Sequence, residues 1–266
     1  MSLGSFEHLS VIEKGEALHV TLNRPERLNA INDRMAGELR ALFGVLYWRH
    51  DIRVVVLAGA DRAFCAGFDL KENERAPGDG VSEMLVGQRK LSEIVIAMRR
   101  CPQPIIALVD GPAAGGGFAL ALASDIRIGT PAMRLNAAFI KVGLSACDIG
   151  VSYFLPRMVG SSVAAEYLLT GRFVDAQVAE KHGLVSRIVD VEDLQAEAEV
   201  MIADLLRATP LGLRLTKDAL NHAIDASGLE AVIALEDRNQ ILAAQGEDFS
   251  EGIAAFREKR PPRYGK

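Results

Sequence analysis

The chain has 266 residues, of which 49% are hydrophobic and 24% are charged, so it can build a core and disorder is excluded as the default. A formal net charge of −5 gives no overall field that attracts nucleic acid or an anionic membrane, and no apolar run reaches the about 18 residues of a membrane span or forms a signal peptide. Three cysteines without paired CxxC spacing exclude a disulfide framework and a zinc ribbon, and they predict a cytoplasmic protein.

The first part of the chain alternates strand-like and helix-like patterns. Alternating apolar residues predict strands of a hairpin, apolar residues at helical spacing predict helices, and unbroken apolar runs predict strands that are covered on both faces. In chain order these are a hairpin at residues 6–12 and 18–22, a helix at 35–46, a strand at 53–57, a helix at 82–98 and a strand at 104–109. The rhythm predicts a layered α/β core.

From about residue 190 the pattern becomes helical. Four helices are predicted in succession, at residues 190–208, 211–226, 229–245 and 248–259. We therefore expect a core at residues 1–190 and a helical region at 191–266. Asp248 and Glu251 have the spacing of a capping box, while Asp175 should begin a short helix that Gly183 ends.

Two glycine-containing segments, at residues 64–70 and 111–117, each follow a predicted strand. Glycine lets the backbone approach a ligand closely, and the second segment leads into a helix-forming run, which places unpaired N–H groups at its glycines. Such donors stabilise an oxyanion or an enolate. A tight strand-to-helix turn without a ligand is an equally good interpretation of the glycine run alone.

In this order and separation, the two segments resemble the crotonase, or enoyl-CoA hydratase/isomerase, superfamily. The resemblance covers nearly the whole chain and includes residues 23–30, 64–72, 111–128, 141–144, 168–179, 183–185 and 251–260. It implies an α/β fold made of a crotonase-like spiral of ββα units with a C-terminal helical trimerisation region. It also implies homotrimers or hexamers formed as dimers of trimers, an acyl-CoA thioester as ligand, and no cofactor, since CoA is part of the substrate.

The resemblance assigns roles to particular residues. The N–H groups of Ala66 and Gly116 match the two donors that hold the thioester oxygen in the family. The substrate pocket would further be lined by Arg27, Phe68, Asp69, Leu70, Lys71, Ala119, Phe139, Phe256 and Lys259. Without the resemblance, Arg27 and Lys71 are better interpreted as solvated surface residues, and the basic residues around Lys259 as a basic tail.

The chain departs from the family pattern where hydratases carry two glutamates. Ala119 and Phe139 stand at these positions, and neither side chain can transfer a proton, so we expect efficient hydration to be absent. Asp148 lies near the position of an aspartate in dienoyl-CoA isomerases and aryl-CoA dehalogenases. Asp148 could equally cap the helix that is predicted to begin near Gly150.

Three functions remain open from the sequence. The first is an acyl-CoA lyase or isomerase that forms an enolate, and the second is an acyl-CoA binder without activity. The third is a dehalogenase-like or hydrolytic enzyme that uses Asp148 as a nucleophile. The scattered histidines lack metal-ligand spacing, and Cys65 and Cys147 are expected to be small core residues.

Overall fold

The structure is a computed structural model that describes residues 3–72 and 80–265. In chain order, the strands are β1 (Leu9–Lys14), β2 (Ala17–Leu22), β3 (Val54–Gly59), β4 (Ile105–Val109), β5 (Pro112–Ala114), β6 (Ile126–Gly129), β7 (Arg134–Asn136), β8 (Val174–Asp175) and β9 (Arg187–Ile188). The helices are α1 (Asp33–Leu46), α2 (Val81–Arg100), α3 (Gly116–Ala123), α4 (Val151–Val159), α5 (Ser161–Thr170), α6 (Ala176–Lys181), α7 (Leu194–Leu206), α8 (Pro210–Ala223), α9 (Leu229–Ala244) and α10 (Glu247–Glu258). Short 3₁₀ turns lie at Pro25–Arg27 and Ala138–Val142.

The main sheet has the strand order β1-β2-β3-β4-β6-β9, and a small sheet has the order β5-β7-β8. The predicted hairpin is confirmed, because β1 and β2 pair antiparallel. The other strands of the main sheet pair in parallel, with Val55 opposite Ile105 and Ile106 opposite Ile126. The predicted strands at 53–57 and 104–109 are thus interior strands, which explains their unbroken apolar sequences.

Helices cover both faces of the main sheet. Side chains of α1, α2 and α3 pack in the larger core, whereas Leu194, Ala198 and Ile202 of α7 pack with residues of β3, β4 and β6 on the other face. The packing of α7 on the sheet extends the core beyond the expected boundary at residue 190. The mixed α/β architecture predicted from the sequence is confirmed.

The last three helices differ in how they contact the core. A buried ion pair anchors α8, because Lys217 Nζ lies 2.8 Å from Asp125 Oδ2 and donates to the Gln103 carbonyl oxygen at 2.7 Å. Helix α9 buries no side chain, and α10 buries only Ala255. Both leave large apolar side chains exposed, and we call this set the terminal apolar surface: Leu229, Ile233, Ile241, Leu242, Phe249, Ile253 and Phe256.

Both predicted ends of one helix are confirmed, and the predicted start of another is wrong. Asp175 caps α6 by accepting a hydrogen bond from the Val178 N–H at 2.9 Å, and Gly183 follows that helix with φ +68°. The capping box is wrong: α10 begins after Gly246, and the Glu251 carboxylate instead accepts hydrogen bonds from Arg260. Arg260, which follows α10, is a charged donor. A carboxylate forms a stronger hydrogen bond with a charged donor than with a neutral backbone N–H. None of the described helices has the length and apolar character required to cross a membrane.

Candidate active site

The two glycine-containing segments lie side by side at the carboxyl ends of β3 and β4. The Cys65 N–H donates to the Pro112 carbonyl oxygen at 3.0 Å, and the Ala114 N–H donates back to the Cys65 carbonyl oxygen at 2.9 Å. A Cβ atom at Gly117 would lie 2.1 Å from that same Cys65 oxygen, so only glycine fits there. The sequence prediction that both segments form one site is consistent with this arrangement.

The N–H of Ala66 is not available to a ligand. It donates to the Leu28 carbonyl oxygen at 2.9 Å, as part of the pairing between segments 28–31 and 65–69. The prediction that Ala66 provides a free donor is therefore wrong. A donor already paired with a backbone carbonyl would have to give up that bond before it could hold an oxyanion.

Phe68 supplies a donor in the place where Ala66 was expected to do so. The Ile31 N–H donates to the Gly67 oxygen at 2.7 Å and the Asp69 N–H donates to the Ile31 oxygen at 2.9 Å, so the intervening Phe68 N–H faces away from Ile31. Within residues 3–72 and 80–265, the Phe68 N–H has no acceptor. The N–H of Gly116 also has no acceptor in this described part of the chain.

Phe68 and Gly116 are neighbours. A Cβ atom at Gly116 would lie 3.4 Å from the Phe68 ring, and one at Gly67 would lie 3.4 Å from the Gly116 nitrogen. Gly116 is the first residue of α3, whose eight residues are all buried, so the positive end of its dipole lies at this N–H. The two free donors therefore come from adjacent turns, and one of them is strengthened by a helix terminus.

The surroundings of these donors are apolar. Phe139 is 5% exposed, and its ring would lie 3.4 Å from a Cβ atom at Gly115. The centroids of the Phe139 and Phe68 rings are 6.4 Å apart, and Ala119 is fully buried one turn into α3. Positions 119 and 139 thus present hydrocarbon rather than a carboxylate.

Asp148 lies in the turn between the second 3₁₀ segment and α4, and it is half-buried. Its Oδ1 accepts hydrogen bonds from Gln88 Nε2 at 2.5 Å and from the Ile149 N–H at 2.7 Å. Burial raises the pKa of Asp148 above its usual value, although both hydrogen bonds act in the opposite direction. The capping alternative is wrong, because the N-cap of α4 is Gly150 and no side chain caps it.

Asp69 is part of the scaffold and does not offer a free carboxylate to a ligand. Its Oδ2 lies 3.1 Å from Arg24 Nη1, with both side chains buried, and its Oδ1 accepts from the N–H groups of Lys71 and Glu72 at 3.1 Å. Burial opposes ionisation, but these hydrogen bonds outweigh it and hold the pKa of Asp69 below its usual value. The prediction that Asp69 binds substrate is corrected for this reason.

The other predicted pocket residues divide into two sets. Arg27 lies beside the turn at residues 69–72, with its Nη2 3.8 Å from Glu72 Oε1. Leu70 and Lys71 are exposed on that turn. Phe256, which is 84% exposed, and Lys259 lie at the end of α10, which packs on α9. The structure therefore brings the first set together, and a single chain leaves the second set on the terminal helices.

A groove of about 1360 Å³ lies between α1, α2, α4 and α8. Ile149 and Gly150, next to Asp148, form part of its wall, but the glycine turns do not. Exposed Tyr47 and Trp48 also line it. We therefore interpret this groove as a surface between helices and not as the site of the free N–H groups.

The cysteines do not add chemistry to the site. Burial raises the pKa of Cys65 to about 12, which confirms it as an unreactive core residue. Cys147 is exposed, so its expected burial is wrong. Among the described residues, no group of three or more His, Cys, Asp or Glu side chains could hold a metal ion.

Sequence reasoning did not single out two residues that the structure places beside predicted ones. Arg24 lies just after β2 and before a proline, and this position was the available signal. A buried arginine requires an acidic partner, which Asp69 supplies. Gln88 carries no such signal, because its partner Asp148 lies 60 positions away along the chain.

Comparison with known proteins agrees with the fold. Residues 13–266 match the family model described as "Enoyl-CoA hydratase/isomerase". The chain is 39% identical over 251 residues to the "Probable enoyl-CoA hydratase echA12" of Mycobacterium leprae (strain TN), covering 92% of this chain and 85% of that protein. It is 36% identical to the 1,2-epoxyphenylacetyl-CoA isomerase of Escherichia coli (strain K12), covering 96% and 97%. The crystal structure of an enoyl-CoA hydratase from Bacillus anthracis superposes with a TM-score of 0.91 at 30% identity, covering 97% of this chain and 99% of that chain.

Proposed function

The chain belongs to the enoyl-CoA hydratase/isomerase family, and on this premise we propose that it isomerises an acyl-CoA thioester through an enolate, without adding water. The observation that carries the proposal is the contrast between Asp148, a half-buried carboxylate, and the hydrocarbon at positions 119 and 139. One proton-transfer group is sufficient for isomerisation. Addition of water requires a second group, since one must activate the water while another delivers a proton.

The thioester oxygen would lie between the N–H groups of Phe68 and Gly116. Two backbone donors on rigid turns cannot ionise, and they interact more strongly with an enolate oxygen than with a neutral carbonyl. The apolar rings of Phe68 and Phe139 keep water from competing for these donors and so strengthen the interaction. This assignment replaces Ala66 with Phe68 and keeps Gly116.

The reaction would proceed by moving one proton. In a thioester that carries a C=C bond beside the acidic carbon, the Asp148 carboxylate takes a proton from that sp³ carbon, which is α to the carbonyl or γ to it through the C=C bond. The electron pair of the C–H bond is then delocalised onto the carbonyl oxygen as the dienolate forms. Protonated Asp148 then returns the proton to a different carbon of the same system, and the carbonyl is restored. No co-reactant is needed. The raised pKa of Asp148 makes the carboxylate a stronger base than an exposed aspartate.

The names of the relatives support the class of substrate and leave the reaction open. One relative is named as a CoA isomerase and several as hydratases. The buried Ala119 and the Phe139 ring favour the isomerase over the hydratase for this chain.

We also propose that the protein assembles as a homotrimer, alone or as a dimer of trimers, through the C-terminal helices. The terminal apolar surface supports this, because α9 buries no side chain in a single chain and Phe256 is 84% exposed. In such an assembly, Phe256 and Lys259 of one subunit would complete the CoA pocket of a neighbour. The lysine charge suits a phosphate of CoA.

A panel of acyl-CoA thioesters followed by mass spectrometry and NMR tests the reaction. A double-bond shift at unchanged mass is the expected result. Gain of one water would show hydration, and release of free CoA would show hydrolysis. A covalent adduct on Asp148 would show nucleophilic catalysis, and binding without any change would show a binder. Each of these four outcomes contradicts the proposed isomerisation.

A further inference from the structure

The turn that carries Asp148 is held in an unfavourable backbone conformation. Ile149 has φ +36°, which a β-branched residue rarely adopts, and the neighbouring Gly150 has φ +92°. A Cβ atom at Gly150 would lie 2.9 Å from the Phe154 ring. Such conformations persist only where the surrounding structure enforces them, and they concentrate at functional sites.

A contact from a different helix helps to fix this turn. Gln88 Nε2, from the middle of α2, donates to Asp148 Oδ1 at 2.5 Å, and the Ile149 N–H donates to the same oxygen at 2.7 Å. In the described part of the chain, Oδ2 of Asp148 has no hydrogen-bond partner. The two carboxylate oxygens therefore differ: one is tethered and the other is free.

We propose that Gln88 is a positioning residue, which tethers Oδ1 of Asp148 so that Oδ2 is the oxygen that exchanges a proton with the substrate. This inference rests on the proposed function. A neutral amide suits the role, because it orients the carboxylate through a hydrogen bond without bringing the positive charge that would make Asp148 a weak base. Holding a base within a fraction of an ångström matters, since a misplacement of about 1 Å can lower a rate about 10²-fold.

The test replaces Gln88 by methionine, which keeps the length of the side chain and removes the donor. The matched control is Gln195→Met, because Gln195 also donates to a carboxylate, that of Glu199 at 3.0 Å, on an exposed face of α7. We expect Gln88→Met to lower kcat about 10-fold to 100-fold with KM nearly unchanged. The control should leave both constants unchanged.

The pH dependence separates positioning from a purely structural role. The Gln88 hydrogen bond lowers the pKa of Asp148, so its removal should raise that pKa. The acidic limb of the kcat/KM profile should then move to higher pH, by the same amount as the Asp148 pKa measured by carboxyl ¹³C NMR. Gln88→Glu serves as a second variant with a similar shape, and its added negative charge should move both quantities further in the same direction.

Parallel measurement of Asp148→Asn distinguishes a failure of the Gln88 role from a failure of the proposed function. If Asp148→Asn is inactive and Gln88→Met matches the parent protein in kcat and pH profile, the role of Gln88 is refuted and the proposed function stands. If Asp148→Asn keeps full turnover, Asp148 is not the base, and the role of Gln88 is refuted with it. A parent protein that turns over no thioester rejects the proposed function itself.

Discussion

Arg24 and Asp69 form an ion pair inside the protein, with Nη1 3.1 Å from Oδ2 and side-chain exposures of 4% and 5%. Arg24 also donates to the Ala30 carbonyl oxygen at 2.6 Å, so it joins the loop before α1 to the turn that carries Phe68. Loss of one partner leaves a buried charge uncompensated. We expect Arg24→Met to lower the free energy of unfolding by about 3 to 5 kcal/mol, measured by chemical denaturation.

A surface arginine provides the control for that measurement. Arg207 pairs with Asp204 at 3.4 Å, and its side chain is 79% exposed. Exposed pairs of this kind contribute about 0 to 1 kcal/mol. Equal losses in Arg24→Met and Arg207→Met would contradict a structural role for the buried pair.

The same pair predicts a dependence of stability on pH. Because the folded-state pKa of Asp69 is lowered, its contribution is present above the unfolded pKa of about 3.9 and is lost as the pH falls through the folded value. The parent protein should therefore lose more stability below about pH 4 than Asp69→Asn does. Denaturation curves collected at several pH values below 5 would check this, and parallel curves for the two proteins would disprove it.

Gly116 offers a direct test of the oxyanion donors. Proline at the first position of a helix is well tolerated, but it lacks the N–H, so Gly116→Pro should lower kcat roughly 10²-fold to 10³-fold. Gly116→Ala keeps the N–H and adds a methyl group 3.3 Å from Ile31 Cδ1, which makes it the control for steric effects. Circular dichroism would verify folding of both. Equal activity of the two variants would show that the Gly116 N–H does not hold the thioester oxygen.

Hydration of crotonyl-CoA should be slow or absent. Each missing acid or base role lowers a rate by roughly 10²-fold to 10⁴-fold, and neither Ala119 nor Phe139 can transfer a proton. Loss of the enoyl-thioester absorbance provides the assay. An efficient rate would mean that another group activates water beside Phe139.

Assembly through the terminal apolar surface should be visible in sedimentation. We expect a trimer or hexamer at micromolar concentration, and Ile241→Asp should shift the protein toward the monomer because it places a charge on an apolar contact. Ile12, on the edge strand β1, is also about half exposed, so Ile12→Asp is the matched control. A stable monomer of the parent protein would contradict the assembly.

Sequence patterns predicted the elements well because each depends on local periodicity. The hairpin and the interior strands required only apolar spacing, whereas the joint role of the two glycine turns came from the family resemblance. The identity of the first donor could not be predicted in this way. Whether the N–H of Ala66 or that of Phe68 is free depends on hydrogen bonds to Leu28 and Ile31, and these are formed by the tertiary fold. The Gln88 tether depends equally on how α2 packs beside the Asp148 turn.

Helix α9 and strand β4 should differ in local stability although they belong to one polypeptide. Because no side chain from Leu229 to Ala244 is buried, the amides of α9 in an isolated subunit are protected only by the helix itself, which is marginal at this length. They should exchange with deuterium through local opening, whereas the amides of β4 should exchange only through global unfolding. A neighbouring subunit that covered α9 would remove this difference. The exchange rate of α9 would then report the fraction of subunits that are assembled.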